Sequence, residues 1–349
     1  MAGVALLALE MAAVGQRPDG PWPRVRRLGD RVLVLTLDGW QRDNTVIIAS
    51  RHGLVLVDAD TSQSYGRQIR EIARRELGRD DFVYVIDTHD DWDHTGGNQA
   101  FAEATIIGQR RCYEALKLQR QNQGEEVAKE RAWADEETEK ARAALNKAAP
   151  GSDAAANAAN ALTRLRRYAD DLATGFAVTP PNLVFEDRLL LDLGDLTVRL
   201  LYFGRAHKEG DSLVFVPEEG LLMTGDLGFD AGIITQIEGG RYQGPLDIAH
   251  WLAALDEVLG SGTAVTHVVE GHASIESGEW LAVRAAYLRR LWEGVRSARA
   301  RGVSIDEAAR ELSLGAAFPD VKSWTPTVEP AELARRHDRL IRIFWENVR

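Results

Sequence analysis

The feature that most constrains this chain is a stretch of six residues, 89 to 94, that contains two histidines and three aspartates. The stretch follows Phe82–Ile86, an apolar run typical of a short buried strand. A solvated acidic turn would account for the aspartates but not for the flanking histidines. The alternate spacing of His89, Asp91 and Asp93, with His94 adjacent, lets one tight loop direct ligands toward two metal ions.

Three further candidate ligands each lie where a predicted strand meets a loop: His207, Asp226 and His272. Any one of them alone would more often be an ordinary turn residue than a ligand. Their order along the chain and their shared position at strand ends favour metal binding. The single cysteine, Cys112, excludes an intrachain disulfide and any zinc site built from several cysteines. The ligands must therefore be histidines and carboxylates.

With these residues the chain resembles the metallo-β-lactamase-fold hydrolase superfamily. The family pattern is Thr-His-x-His-x-Asp-His-x-Gly-Gly, followed by a His, a Gly-Asp and a Gly-His. Here the pattern begins at Thr88 and ends at His272, and the resemblance covers roughly residues 32 to 272. It implies a four-layer αββα sandwich with a dinuclear metal site, most often zinc, at the edge of the two sheets.

The resemblance also implies a ligand set. Each ion would have three ligands of its own, and one carboxylate would bridge both: His89, Asp91 and His207 for the first ion, Asp93, His94 and His272 for the second, and Asp226 between them. Asp93 would in addition orient a metal-bridging hydroxide and exchange its proton. We therefore expect a metal-dependent hydrolase that cleaves an ester, lactone, amide or related bond in a small molecule.

Position 91 departs from the family pattern, because it holds Asp where the family usually has His. A carboxylate lowers the Lewis acidity of the ion and moves its preference from zinc toward iron or manganese. We expect two divalent ions, with zinc favoured. Two alternatives stay open: an iron-dependent redox enzyme of the same fold, and a degenerate, non-catalytic metal-binding scaffold.

Four residues are weaker candidates for the surroundings of the site. Asp58 ends the apolar run Leu54–Val57, where a carboxylate can bind the N–H of a ligating imidazole. Lys208 follows His207 and could hold an anionic group of the substrate. Trp40 and Trp92 could wall the pocket. Each has an ordinary alternative, as a strand-end aspartate, a surface lysine or a core tryptophan.

The composition changes in the middle of the chain, where 17 alanines lie between positions 124 and 177 among Glu, Lys and Arg. This composition favours long helices, and Pro150-Gly151-Ser152 breaks it into two arms. We predict an inserted helical hairpin at 119–178 within a domain spanning 26–349, and C-terminal helices at 277–349. The hairpin could be an active-site lid, a dimerisation arm that makes a homodimer, or surface decoration.

The remaining expectations come from charge and hydropathy. A formal net charge of −11 argues against binding to nucleic acid or to an anionic membrane, and no apolar run is long enough to span a bilayer. Residues 1–25 form an N-terminal extension or a signal-like segment. We expect a cytoplasmic protein, or a periplasmic or secreted one if that segment is a truncated signal peptide.

Overall fold

The computed structural model describes residues 23–36, 43–227, 246–272, 275–318 and 329–348. Trp40 and most of the predicted N-terminal segment lie outside these ranges. Among the helices of the described ranges, none combines the length and the apolar composition that a membrane crossing requires.

Two sheets form the centre of the fold. The first has seven strands in sequential order: β1 Arg24–Leu28, β2 Val32–Thr36, β3 Asn44–Ala49, β4 Leu54–Val57, β5 Phe82–Ile86, β6 Thr105–Gln109 and β7 Leu183–Phe185. Neighbours from β1 to β4 are antiparallel, and neighbours from β4 to β7 are parallel. The loops after β4 and β5 therefore leave the sheet at the same edge.

The second sheet has six strands, with β13 and β8 at its edges: β8 Arg188–Asp192, β9 Thr197–Tyr202, β10 Ser212–Val216, β11 Leu221–Met223, β12 His267–Val269 and β13 Ile275–Ser277. Only the pair of β11 and β12 is parallel among these described strands. The loops after β11 and β12 thus leave this sheet side by side.

Helices cover the outer faces of both sheets, and a further group of helices is inserted in the chain between β6 and β7 of the first sheet. Their bounds are α1 Gln63–Leu77, α2 Trp92–Thr95, α3 Arg110–Gln121, α4 Gln123–Lys147, α5 Asp153–Thr174, α6 Ile248–Leu259, α7 Glu279–Ala300, α8 Ile305–Glu311, α9 Leu314–Ala317 and α10 Pro330–Asn347.

Three apolar layers hold these elements together, and the strand period of two explains how one strand serves two layers. In β2, Val32 and Val34 pack between the sheets, whereas Leu33 and Leu35 pack under α1. The third layer joins the outer face of the second sheet to α6, α7 and α10. This arrangement is the predicted four-layer αββα sandwich.

The long helices α4 and α5 form an antiparallel hairpin, preceded by α3, which ends at Gln121. On α4 only Ala134 is buried, whereas α5 buries a full face against the sandwich. Asp171 of α5 accepts hydrogen bonds from the hydroxyl groups of Ser62 and Ser64 and from the Ser64 backbone N–H, at the start of α1. The hairpin is therefore anchored to the fold by α5.

Arg164 of α5 is a second anchor, and it is fully buried. Its Nη2 lies 3.3 Å from Asp60 Oδ1 and 3.7 Å from Asp43 Oδ2, and its guanidinium carbon lies 4.8 Å from the centre of the Tyr65 ring. Removal of one partner from a buried ion network leaves the others without compensation. The helical insertion thus supplies the positive charge for two buried carboxylates of the sandwich.

We predict that Arg164→Met lowers the free energy of unfolding by about 3–5 kcal/mol, because Asp43 and Asp60 lose their guanidinium. Arg166→Met is the matched control, since Arg166 is exposed on the same helix; its effect should stay within about 0.5 kcal/mol. Urea denaturation measures both values. Equal effects of the two substitutions would contradict this role of Arg164.

Candidate metal centre

The candidate ligands lie on loops that leave both sheets at one edge. His89 follows β5, Asp226 follows β11 and His272 follows β12. Backbone hydrogen bonds join these loops, from Gly271 N–H to the Gly225 carbonyl at 2.8 Å and from Ser212 N–H to the Thr88 carbonyl at 3.0 Å. Side chains from distant parts of the sequence are therefore brought to one place.

The structure groups the predicted ligands into two adjacent clusters, in each of which the possible ligand atoms lie within 4.8 Å of one another: His89, His207 and Asp226 in the first, and Asp93, His94 and His272 in the second. Asp91 borders the first cluster, with Oδ2 at 3.1 Å from His207 Nε2 and 3.6 Å from His89 Nε2. All seven residues that the sequence indicated are thus close together.

Asp226 lies between the two clusters. Its Oδ1 is 3.3 Å from His94 Nε2, and its Oδ2 is 2.9 Å from His272 Nε2 and 3.7 Å from His207 Nε2. Two ligand atoms of one tetrahedral zinc ion, each at about 2.0–2.1 Å, are about 3.4 Å apart. The spacing around Asp226 agrees with a carboxylate that bridges two ions.

The hydrogen bonding of the site also fits a metal. The Nε2 atoms of His89 and His94 and the Oδ1 atom of Asp226 are buried and make no hydrogen bond. A buried polar atom without a partner is destabilising unless another ligand satisfies it. The donor set of imidazoles and carboxylates is the set that zinc and other divalent transition metals bind.

Asp58 orients two of the histidines. Its Oδ1 accepts the Thr88 backbone N–H at 2.9 Å, and its Oδ2 accepts the Thr88 hydroxyl at 2.8 Å and lies 2.9 Å from His94 Nδ1. Because that hydroxyl donates to Asp58, it accepts from His89 Nδ1, 3.0 Å away. In both rings Nδ1 therefore carries a proton, and Nε2 is the ring nitrogen that faces the site.

His272 is held by a different carboxylate, Asp43, which the sequence did not single out. The distance from His272 Nδ1 to Asp43 Oδ1 is 3.0 Å. Burial raises the pKa of Asp43 to about 7. Burial alone would lower the pKa of His272, but Asp226 and Asp43 outweigh it and raise that pKa to about 11. Arg164 of the hairpin also approaches Asp43. The hairpin therefore contacts the carboxylate that holds the candidate ligand His272.

Glycines make the close approach of these loops feasible. A Cβ atom on Gly271 would lie 2.0 Å from Asp226 Oδ1, and one on Gly96 or Gly97 would lie 1.9 Å from a backbone carbonyl oxygen of the loop after β4. No side chain fits at such distances. The Gly-Gly pair of the sequence motif thus lets the metal loop pack directly against that neighbouring loop.

The weaker candidates have defined positions as well. Lys208 Nζ lies 2.5 Å from Asp91 Oδ1, so the structure pairs this lysine with a candidate ligand. Trp92 Nε1 donates a hydrogen bond to Gln119 Oε1 at 2.6 Å, and the Trp92 ring lies 4.6 Å from that of Phe176. Trp40 lies outside the described residues.

A cavity of about 210 Å³ opens at the metal loop and includes Asp91, Trp92, Asp93 and Lys208 in its wall. The hairpin forms the opposite part of that wall, with four side chains that the sequence reasoning missed: Glu126, Glu130, Trp133 and Tyr168. The sequence signal that could have pointed to them is the presence of a tryptophan within a helix otherwise rich in Ala, Glu and Lys.

Comparison with solved structures identifies the fold. A metallo-β-lactamase from Pontibacter korlensis is 13% identical, with a TM-score of 0.50 over 76% of this chain and 99% of its own. The DIM-1 metallo-β-lactamase is 14% identical, with a TM-score of 0.50 over 77% of this chain and 98% of its own. A double mutant of the sec-alkyl sulfatase PisA1 is 14% identical, with a TM-score of 0.55 over 93% of this chain and 50% of its own.

Sequence comparison gives the family. No curated protein matches the chain. The family model described as the metallo-beta-lactamase superfamily matches residues 38–284, which include all seven candidate ligands. Proteins of this family are mostly hydrolytic enzymes and typically bind divalent metals. The resemblance inferred from the motifs is confirmed: the chain belongs to the metallo-β-lactamase superfamily.

Proposed function

We propose that the protein is a hydrolase that holds two divalent metal ions, zinc in preference to iron or manganese, and cleaves an ester, lactone, amide or related bond in a small molecule. The observation that carries this proposal is the pair of ligand clusters joined by Asp226 beside a cavity of about 210 Å³. Two divalent ions bound at such a site supply a hydroxide at neutral pH and polarise an oxygen of the substrate.

The residues of the chain have distinct tasks in this reaction. Asp226 spans the two clusters and fixes their separation. Asp58 and Asp43 hold the rings of His94 and His272, so that their Nε2 atoms point to the centre. Ligands that are oriented in advance need little rearrangement during the reaction. The metal centre is therefore supported by carboxylates on two sides.

Asp93 is the residue best placed to move a proton. Its carboxylate lines the cavity, and its Oδ2 lies 3.6 Å from His272 Nε2. A carboxylate that borders both the second cluster and the substrate cavity can orient the attacking oxygen, accept its proton and return it to the leaving group. Trp133 and Tyr168 form part of the wall on the side of the hairpin.

The size of the cavity favours a small-molecule substrate. The named neighbours do not narrow the choice of bond, because they include lactamases and an alkyl sulfatase. The bond type must therefore come from experiment, with a panel of esters, lactones, β-lactams, thioesters, phosphodiesters and sulfate esters.

We predict close to two metal ions per chain when the protein is expressed with added zinc, measured by elemental analysis. Removal of the metal by a chelator should abolish hydrolysis of any substrate found in the panel, and zinc should restore it. Protein that binds no metal would contradict the proposal. Bound iron whose visible absorption changes on reduction would favour the redox alternative instead.

We also predict that Asp58→Asn lowers the affinity for zinc about 10–100-fold, because the His94 ring loses its charged acceptor. Competition with a chromogenic chelator measures this affinity. Asp195→Asn is the control, since Asp195 pairs with Arg31 at 2.8 Å near the start of β9, away from His207. If Asp58→Asn and Asp195→Asn bind zinc equally well, Asp58 does not support the metal centre.

A further inference from the structure

We propose that Asp91 and Lys208 act as one electrostatic unit that takes the place of a neutral histidine in the first metal position. The inference rests on the dinuclear centre of the proposed function. It assigns to Lys208 a role in setting the charge of that centre, rather than the substrate-binding role considered from the sequence.

The two oxygens of Asp91 face different groups. Oδ2 points to the first cluster, 3.1 Å from His207 Nε2 and 3.6 Å from His89 Nε2. Oδ1 points to the ammonium group of Lys208, 2.5 Å away. Both side chains are only 15% exposed, so solvent screens the pair weakly. Asp91 therefore offers one oxygen to a metal, as an imidazole offers one nitrogen.

The position of Lys208 is fixed by its own loop. Its backbone N–H donates to Asp211 Oδ2 at 2.8 Å, and its carbonyl accepts the Ala206 N–H at 3.1 Å. Lys208 also follows His207 directly in the chain. The fold that brings His207 to the first cluster thus also brings the ammonium group to Asp91.

The charge of the site explains why this pairing matters. The proposed ligand set contains three aspartates, one more than a set with histidine at position 91 would contain. Lys208 contributes one positive charge beside the extra carboxylate, so the ligands and Lys208 together carry the same charge as the histidine-containing set. The shift toward iron or manganese that Asp91 alone would cause is thereby reduced.

A double-mutant cycle tests this pair of residues, and the quantity measured is metal binding rather than activity. The variants are Asp91→His, Lys208→Met and the combination of both. For each metal-free protein, chelator competition gives the zinc affinity of both sites, and Co²⁺ absorption reports the coordination. In Asp91→His the ammonium group remains beside the ion without its carboxylate. We expect the affinity of the weaker site to fall at least about tenfold.

In the combined variant the site again has a neutral ligand and no extra cation. We expect its affinity to return to within about threefold of the original protein. Lys208→Met alone removes the ammonium group that faces Asp91 Oδ1, so this oxygen can turn to the ion and the Co²⁺ spectrum should weaken as the coordination number rises. This single variant keeps the proposal testable if Asp91→His does not fold, because an unchanged spectrum would overturn it.

Arg205→Met is the matched control, since Arg205 is a cation of the same loop that lines a different cavity, with Trp292 and Arg296. Combined with Asp91→His, it should not restore zinc affinity. The inference is wrong if Asp91→His binds zinc as tightly as the original protein, or if Lys208→Met does not rescue it. If the protein binds two ions and the effects of Asp91→His and Lys208→Met on zinc affinity are additive, this inference alone is wrong. If the protein binds no metal, the proposed function is wrong as well.

Discussion

Buried negative charge at one edge of the two sheets is the constraint on which the rest of the structure depends. A buried carboxylate without compensation costs several kcal/mol, so each one requires a specific partner. Asp58 has the Thr88 hydroxyl and the His94 ring, Asp43 has His272 and Arg164, and Asp91 has Lys208. Asp226 faces imidazole nitrogens on both sides. Its Oδ2 has His272 Nε2 at 2.9 Å, whereas its Oδ1 and the Nε2 atoms of His89 and His94 make no hydrogen bond. The buried atoms that make no hydrogen bond agree with a divalent cation as a further partner of Asp226.

This constraint also explains the attachment of the helical insertion. Because α4 has one buried residue, the hairpin depends for its place on α5, whose Tyr168 and Leu172 pack in an apolar cluster with Trp92 and Cys112. Arg164 and Asp171, both on α5, join it to the loop after β4 and to the start of α1 through buried polar contacts. The same attachment places Trp133 and Tyr168 over the cavity. Surface decoration alone therefore does not account for the hairpin, because it contributes both a counter-charge and a wall of the site.

The sequence predicted the elements and candidate ligands that depend on residues contiguous in the chain. The apolar run of β5, the His-Asp loop after it and the Gly-Gly pair are contiguous, so their roles can be recognised without the rest of the chain. The strands β6 and β7 were not predicted, because Thr105–Gln109 contains only two large apolar residues and Leu183–Phe185 is only three residues long. Asp43 and Arg164 were missed for a different reason: they are far apart in sequence, and only tertiary contacts make them a pair. Lys208 was noted, but its contact with Asp91 depends on the approach of two loops.

The candidate metal centre lies where the two sheets meet, and hydrogen bonds that use no ligand side chain join its loops. Asn44, at the start of β3 in the first sheet, donates its backbone N–H to the Gly271 carbonyl at 2.7 Å and its side-chain amide to the Glu270 carbonyl at 2.8 Å. Ser212 of the second sheet donates to the Thr88 carbonyl of the first. These bonds fix the loops of His272 and His89 relative to each other without using any ligand atom. Because these bonds set the geometry of the loops, Asp at position 91 is accommodated without a new arrangement of loops, and Lys208 supplies a counter-charge beside it.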